Sequence, residues 1–178
     1  ELIAKNYGVS VEEILDVNEL SSAVLHAGTE LFIPGARLSS SVLKKALGEL
    51  FAVPLAVSWR ISSGYGWRQD PFTGVRSFHT GIDLVVPYGT SIKSAMSGTV
   101  AAAGYSNVYG NYVIINHGNG YQTLYAHMSS ASVKKGERVA QGAQIGHTGN
   151  TGYSTGTHLH FSVYRNGKLI NPAQVLKF

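Results

Sequence analysis

The chain has 178 residues, which suits one domain of ordinary size with a small appendage. Hydrophobic residues make up 44% of it and charged residues only 13%, which allows a full core and excludes a disordered or heavily charged chain. The net charge of +4 is scattered along the sequence and therefore indicates no nucleic-acid-binding stripe.

The sequence lacks cysteine and long apolar runs, and these two features exclude further classes of protein. The sequence holds no cysteine, which excludes a disulfide scaffold and a thiolate-ligated zinc finger. No apolar run reaches the roughly 18 residues of a membrane span, so we expect none in this chain. The 21 glycines, against 5 prolines, favour many short strands joined by tight turns.

Residues 1–38 predict a small α+β unit. Residues 2–7 have the apolar spacing of a helix, and Ser10 with Glu13 forms a capping box that opens a second helix. Residues 29–34 alternate like a short strand that ends at a proline. The chain opens in what looks like the middle of a helix, so we expect this unit to be cut short at its N-terminus.

Residues 39–53 predict a helical connector, because their apolar side chains recur on one helix face. From residue 54 to residue 178 short apolar segments alternate with glycine turns, and residues 116–120 and 165–168 predict hairpins through Asn-Gly. Strands are predicted over residues 99–103, 112–116, 121–127 and 158–164. We therefore predict a mainly β fold, with an antiparallel sheet that is sandwich-like or barrel-like.

Two histidines flank a leucine at His158-Leu159-His160, on a predicted strand. Side chains alternate along a strand, so both imidazoles face one side of the sheet and Leu159 faces the other. Two imidazoles on an inward face would repel each other if protonated, and if buried they would leave ring nitrogens without hydrogen-bond partners. The pattern is explained if one ring binds a metal and its neighbour works beside it, and the spacing does not say which.

His79 and Asp83 form a second candidate pair. Gly81 and the β-rich residues that follow it argue against a helix, and on an extended chain the even separation places both side chains on one face. A neutral imidazole and a carboxylate are a good ligand set for zinc. His127 ends another predicted strand, where alternation places it on the same face as Tyr125.

Ordinary structural roles explain the three remaining histidines, His26, His117 and His147. His117 falls in a predicted hairpin turn, where an exposed polar residue needs no further explanation. Each of the other pairs could also be a simple hydrogen-bonded pair. Four imidazoles and one carboxylate on strand faces are hard to explain by packing, however, and together they predict a site for metal-assisted hydrolysis.

Five segments keep the order and motifs of a known enzyme family. They are residues 63–71 (SGYGWRQDP), 79–83 (HTGID), 125–128 (YAHM), 145–152 (IGHTGNTG) and 156–161 (GTHLHF). Together they resemble the lysostaphin/LytM-type zinc metallopeptidases, over residues 55–172. The resemblance implies an antiparallel β fold with a groove over the sheet, and cleavage of peptide bonds in bacterial peptidoglycan.

The same resemblance implies one zinc ion per chain, with His79, Asp83 and His160 as its ligands. It implies His127 and His158 as the catalytic pair beside the metal. The sequence departs from the family pattern at Thr157, where proline is common, and at Ser162, where glutamate is common. Neither residue is an implied ligand, so we expect activity to be kept. Weaker candidates for the groove walls lie in or near glycine-rich loops: Tyr65, Tyr105, Asn107, Tyr109, Asn111 and Tyr153.

The first region resembles a LysM module, over residues 3–10 and 28–35. Such modules bind the N-acetylglucosamine-containing glycan of peptidoglycan. The first strand expected of the module is absent from this sequence. The predicted domains are therefore a LysM-like unit over residues 1–38, the connector over 39–53 and the metallopeptidase domain over 54–178.

Three classes of function stay open. The complete set of five site residues favours an endopeptidase; the alternatives are a non-catalytic peptidoglycan-binding activator of cell-wall amidases and an active fold held latent by its own N-terminal segment or a loop. The expected partner is peptidoglycan, with neither nucleic acid nor membrane involved. The expected location is the bacterial cell envelope, periplasmic or extracellular, and the motifs suit D,D bonds and glycine bridges alike.

Overall fold

The structure is a computed structural model that describes residues 1–26, 29, 31–34 and 51–176. The chain divides into two compact units, Glu1–Lys45 and Ala46–Phe178. Within the described residues, no helix is both long enough and apolar enough to cross a bilayer.

The first unit contains the two predicted helices, α1 (Leu2–Tyr7) and α2 (Val11–Val17). Ser10 caps α2 through the predicted capping box. Its hydroxyl accepts a hydrogen bond from the main-chain N–H of Glu13, and the Glu13 carboxylate accepts one from Ser10 N–H, both at 3.0 Å. The reciprocal bonds satisfy two N–H groups that have no partner inside the helix.

The strand predicted over residues 29–34 forms no ladder in its described part, residues 29 and 31–34. The main chain of Phe32 pairs instead with the side chain of Asn18. Phe32 N–H donates to Asn18 Oδ1 at 2.8 Å, and Asn18 Nδ2 donates to Phe32 O at 2.7 Å. A side-chain amide offers the same donor and acceptor as a peptide group, so it takes the place of a neighbouring strand.

The predicted helical connector lies outside the described residues as far as residue 50. Residues 51–53 are not helical. Phe51 is buried in the core of the second unit, with its ring edge-on to Tyr121 at 5.3 Å. Phe51 thus packs against the sheet of the second unit.

Twelve strands of the second unit are described. They are β1 (Arg60–Ser63), β2 (Gly66–Gln69), β3 (Arg76–His79), β4 (Ile82–Val85), β5 (Ser91–Lys93), β6 (Gly98–Ser106), β7 (Gly110–Gly118), β8 (Tyr121–Ala131), β9 (Arg138–Val139), β10 (Gln144–Thr148), β11 (Leu159–Arg165) and β12 (Lys168–Ile170), and a 3₁₀ turn, Pro172–Gln174, follows them.

Ten of these strands join one antiparallel sheet, and the prediction of a mainly β antiparallel fold is confirmed. The main path runs β1-β4-β11-β8-β7-β6-β9, and β2 pairs with β3 in a separate hairpin. Strand β10 pairs with both β5 and β8, and β12 pairs with β11. The path of the described strands is open, so the sheet is sandwich-like rather than a closed barrel.

The two Asn-Gly turns are confirmed. Asn119-Gly120 joins β7 to β8 with φ angles of 48° and 75°, and Asn166-Gly167 joins β11 to β12 with 50° and 74°. Positive φ at both central residues is the type I′ geometry, which matches the twist of paired strands.

His117 is buried, so its predicted position at an exposed turn is wrong. The turn contains only two residues, and His117 therefore remains in β7. Its Nδ1 donates to Ser97 O at 3.0 Å, and its Nε2 lies 2.7 Å from Thr123 Oγ1. Burial lowers the pKa of His117.

The core lies on one face of the central strands. Leu159, Phe161 and Val163 of β11 are completely buried there, and the Phe161 ring packs on Tyr125 at 5.3 Å. Because alternate residues of a strand point to opposite faces, His160 leaves the core on the other side.

Substitution of Tyr125 by Phe tests a polar contact inside this core. The buried Tyr125 hydroxyl accepts a hydrogen bond from Ala95 N–H at 2.8 Å and lies 3.1 Å from Thr123 Oγ1. Removing it leaves a buried N–H without a partner, so we expect Tyr125→Phe to lower the free energy of unfolding by about 1–3 kcal/mol in urea denaturation. Tyr88→Phe, at an exposed position, is the control and should change it by less than ~0.5 kcal/mol.

Candidate metal and catalytic site

Strand pairing brings Asp83 and His160 together. They lie directly opposite each other on β4 and β11 and therefore share a face, and Asp83 Oδ1 is 2.9 Å from His160 Nδ1. His79, at the end of β3, places its Nε2 3.1 Å from Asp83 Oδ1 and 3.0 Å from His160 Nδ1. All three side chains are buried.

Other hydrogen bonds orient the two imidazoles. His79 Nδ1 lies 2.8 Å from Gly64 O, and because a carbonyl only accepts, Nδ1 carries the hydrogen and Nε2 keeps its lone pair. His160 Nε2 lies 2.9 Å from Ser162 Oγ, which leaves Nδ1 facing Asp83. Ser162, a departure from the family pattern, therefore contacts a candidate ligand, a role that sequence reasoning missed.

The donor set fits a small divalent metal ion. A tetrahedral zinc ion holds ligand atoms at roughly 2.0–2.1 Å, which separates those atoms by about 3.3 Å. The three atoms here lie 2.9–3.1 Å apart, and two nitrogen lone pairs and a carboxylate point to one place. Hydrogen bonds to the second nitrogen of each imidazole are typical of metal-binding histidines. The site can therefore hold a metal ion.

Asp83 is ionised in this environment. Burial by itself would raise the pKa of Asp83, but its contacts with the imidazoles of His158, His160 and His79 outweigh burial and hold that pKa well below its usual range. The guanidinium of Arg68 lies on the other side of the carboxylate, with Nη2 at 3.9 Å from Oδ2.

His127 and His158 lie side by side, with ring centroids 4.7 Å apart. His127 Nδ1 donates to Thr151 O at 2.8 Å, and His158 Nδ1 donates to Gly156 O at 2.7 Å. Both rings therefore leave Nε2 for the site, and His158 Nε2 is 3.5 Å from Asp83 Oδ1.

The pKa values of the two imidazoles shift in opposite directions. Burial lowers the pKa of His127 to about 4. Burial also lowers the pKa of His158, but the hydrogen bond and charge of Asp83 outweigh it and the net shift is upward. The two side chains thus differ in their affinity for a proton.

A bulge in β8 turns His127 into the site. Val113 pairs with Tyr125 and Asn111 with Met128, so β8 carries one residue more than β7 between these pairs. His127 adopts a φ of 60°, in the left-handed region. Tyr125 and Met128 both join the core, and His127 faces the other side. The prediction that His127 shares a face with Tyr125 is therefore wrong.

All five predicted site residues line one open groove of about 1060 Å³. Of the weaker candidates, Tyr109 and Tyr153 line it as well, and Tyr65, Tyr105, Asn107 and Asn111 do not. Asn111 instead donates to Met128 O and Ser129 O, beside the bulge. Arg68 lines the groove and was not singled out, although it lies within the SGYGWRQDP segment.

Comparison with known proteins identifies the family. The model of peptidase family M23 matches residues 77–172, and the LysM domain model matches residues 1–34. The chain belongs to peptidase family M23, whose members are metallopeptidases. The resemblance drawn from the motifs is thus confirmed.

Three similar proteins illustrate the relationship. The "DD-carboxypeptidase/endopeptidase Mpg" of Neisseria meningitidis is 42% identical over 125 residues, which are 70% of this chain and 29% of that protein. A zinc-containing peptidase from Vibrio cholerae is similar in structure, with a TM-score of 0.65, 34% identity and coverage of 68% of this chain and 39% of that one. The catalytic domain of lysostaphin from Staphylococcus simulans has a TM-score of 0.59 and 34% identity, with coverage of 65% and 90%. The matched region spans less than a third of the Neisseria protein.

Gly81 provides a test of the register that forms the site. A Cβ atom at this position would overlap the carbonyl oxygen of Phe161 and lie 2.7 Å from Ser162 Oγ, which contacts His160. We expect Gly81→Ala to separate β4 from β11, lower the free energy of unfolding by about 1–3 kcal/mol and weaken metal binding at least tenfold. Gly104→Ala on β6, where the new atom meets only ordinary contacts, is the control. Equal metal affinity in both variants would contradict this account, as measured by competition with a chromogenic chelator.

Proposed function

We propose that this chain is a zinc-dependent endopeptidase that hydrolyses peptide cross-links between D-residues in bacterial peptidoglycan. The observation that carries the proposal is the convergence of His79 Nε2, Asp83 Oδ1 and His160 Nδ1 within 3.1 Å, next to the imidazoles of His127 and His158. The similarity to a DD-carboxypeptidase/endopeptidase and to a zinc-containing peptidase supports the substrate class and the metal.

His79, Asp83 and His160 are the proposed ligands of the zinc ion. Two neutral imidazoles and one carboxylate form a set that suits zinc and leaves one of four positions open for water or substrate. When bound, the ion supplies Lewis-acid chemistry, polarising the scissile carbonyl and making water more acidic. Asp83 offsets part of the charge of the ion.

His127 is the proposed proton acceptor. Its Nδ1–H is held by Thr151 O, so the Nε2 lone pair faces the groove, and Nε2 makes no hydrogen bond to the described residues. His158 has Nδ1 held by Gly156 O and Nε2 beside Asp83, where it is oriented to donate to the oxyanion of the tetrahedral intermediate. One water adds across the amide, which leaves a carboxylic acid and a free amine.

The proposed location is the cell envelope, periplasmic or extracellular, because that is where peptidoglycan lies. The LysM match over residues 1–34 supports binding of peptidoglycan glycan by the first unit. All five candidate site residues are present in the chain. A non-catalytic activator of amidases would not need a metal site together with two further imidazoles, so their presence does not favour that alternative.

Digestion of purified, cross-linked peptidoglycan tests the proposal. We expect the zinc-loaded chain to convert cross-linked dimers to monomers, resolved by mass, and His160→Ala to release none. Absence of products from metal-loaded, folded protein would contradict the proposed activity.

Removal of the metal should abolish hydrolysis reversibly. We expect about one zinc ion per chain in the loaded protein, because the donor set accommodates a single ion, and loss of activity on chelation with recovery on adding zinc. His79→Ala and His160→Ala should bind less than about a tenth of that zinc, whereas His147→Ala, outside the groove, should bind it normally. Elemental analysis after gel filtration provides the measurement.

Substitution of His127 or His158 should impair catalysis without impairing metal binding. We expect His127→Ala and His158→Ala to retain the zinc ion and to lower kcat by about 10²–10⁴-fold, because they supply proton transfer and oxyanion stabilisation rather than ligand atoms. Loss of zinc from His127→Ala would assign this side chain to the ligand set instead.

A further inference from the structure

Arg68 lies on the groove face of the β2–β3 hairpin. It pairs with Ser77, two residues along each strand from the pair formed by Gly66 and His79, so Arg68 and His79 share a face. Within the described part of the chain, it is the one lysine or arginine that lines the groove. A permanent positive charge therefore lies beside the candidate metal ligands.

The Arg68 guanidinium has fewer hydrogen-bond partners among the described residues than it has N–H donors. Its Nη2 is 3.9 Å from Asp83 Oδ2, beyond hydrogen-bond distance, and its Nη1 donates to Gln69 O only at 3.5 Å. Its Nε is buried and makes no hydrogen bond to the described residues. The Arg68 side chain is 30% exposed, and the N–H donor that is buried without a partner is Nε. Buried donors are normally paired, so this Nε points to a ligand.

Asp83 is not that ligand. Its Oδ1 is already within 3.1 Å of His79 and His160, and the distance from its Oδ2 to Arg68 leaves the guanidinium without a bidentate partner. The planar fork of an arginine matches the two oxygens of a carboxylate. The geometry therefore favours a carboxylate that arrives with the substrate.

The position of Arg68 indicates where on the substrate this carboxylate lies. Nη2 lies 3.9 Å from Oδ2 of Asp83, and Oδ1 of the same carboxylate belongs to the ligand cluster. Neighbouring residues of an extended peptide are spaced by roughly 3.5 Å. A carboxylate on the residue next to the scissile bond can thus reach Arg68 while the bond lies at the metal ligands.

We propose that Arg68 binds a free carboxylate carried by the α-carbon next to the scissile amide nitrogen, and so selects the bond to be cut. This inference rests on the proposed function. In a D,D cross-link to a diamino acid, the acylated D-centre keeps its carboxylate free, and a C-terminal D-residue presents the same group. A glycine bridge continues as an amide there. The chain should therefore prefer D,D bonds over glycine bridges and also release C-terminal D-residues, by adding one water across the bond.

Two probes test this selection, Nα-acetyl-D-alanyl-D-alanine and its C-terminal carboxamide, which differ only in the carboxylate. Binding of both to the metal-free full chain is measured by NMR titration, and hydrolysis of both is measured with the zinc-loaded chain. The variants are Arg68→Gln, Arg68→Lys and Arg76→Gln. Arg76→Gln is the matched control, because this substitution removes the same charge from the same hairpin. The Arg76 guanidinium lies over the Trp67 ring at 5.0 Å.

In the unaltered chain and in Arg76→Gln we expect the carboxylate probe to bind and react at least tenfold better than the carboxamide. In Arg68→Gln this ratio should fall to about one, with the zinc content unchanged and a much larger loss for the carboxylate probe than for the carboxamide. Arg68→Lys should give an intermediate ratio, because it keeps the charge but not the planar fork.

Three results would overturn the inference. They are equal binding of the two probes by the unaltered chain, no binding of the carboxylate probe, and an equal loss for both probes in Arg68→Gln, which would make Arg68 a positioning residue for Asp83. Failure of the proposed function would give a different result from failure of this inference. Binding of the carboxylate probe would still depend on Arg68, but the zinc-loaded chain would cleave neither the probes nor peptidoglycan.

Discussion

The site depends on one cross-strand pair, Asp83 opposite His160. A carboxylate inside a sheet is costly unless charge or hydrogen bonds compensate for it, and here three imidazoles surround one oxygen. The register of β4 against β11 therefore determines both the fold and the chemistry. Close approach of the two strands requires glycine at position 81, where any side chain would meet the main chain of Phe161.

One face of the sheet packs in the hydrophobic core, and the other face carries the candidate site residues. Along β11, Leu159 and Phe161 enter the hydrophobic core, and His160 and Ser162 lie on the groove side. Strict alternation would have placed His127 of β8 in the core. The bulge and a positive φ at His127 reverse its direction, and hydrogen bonds hold it there, from its main-chain N–H to Tyr109 O at 2.7 Å and from Nδ1 to Thr151 O at 2.8 Å.

Several groups around the candidate ligands orient the imidazoles and take no part in the proposed chemistry. Main-chain carbonyls fix the tautomers of three histidines, His79, His127 and His158, and the hydroxyl of Ser162 does the corresponding work for His160. Each ring thereby presents one defined nitrogen. The arrangement is preorganised, because the second nitrogen of each ring is occupied before a substrate arrives.

Local periodicity and turn chemistry were enough to predict the alternating strands, the Asn-Gly turns, the capping box and the shared face of His158 and His160. The motif order also identified the family. Four other features are visible only in the folded chain: His127 turns out of the core, His117 is buried, Asn18 replaces a strand partner for Phe32, and Arg68 lies beside Asp83. These features depend on which strands pair and in which register, and a local pattern contains no information about contacts between residues far apart in the chain.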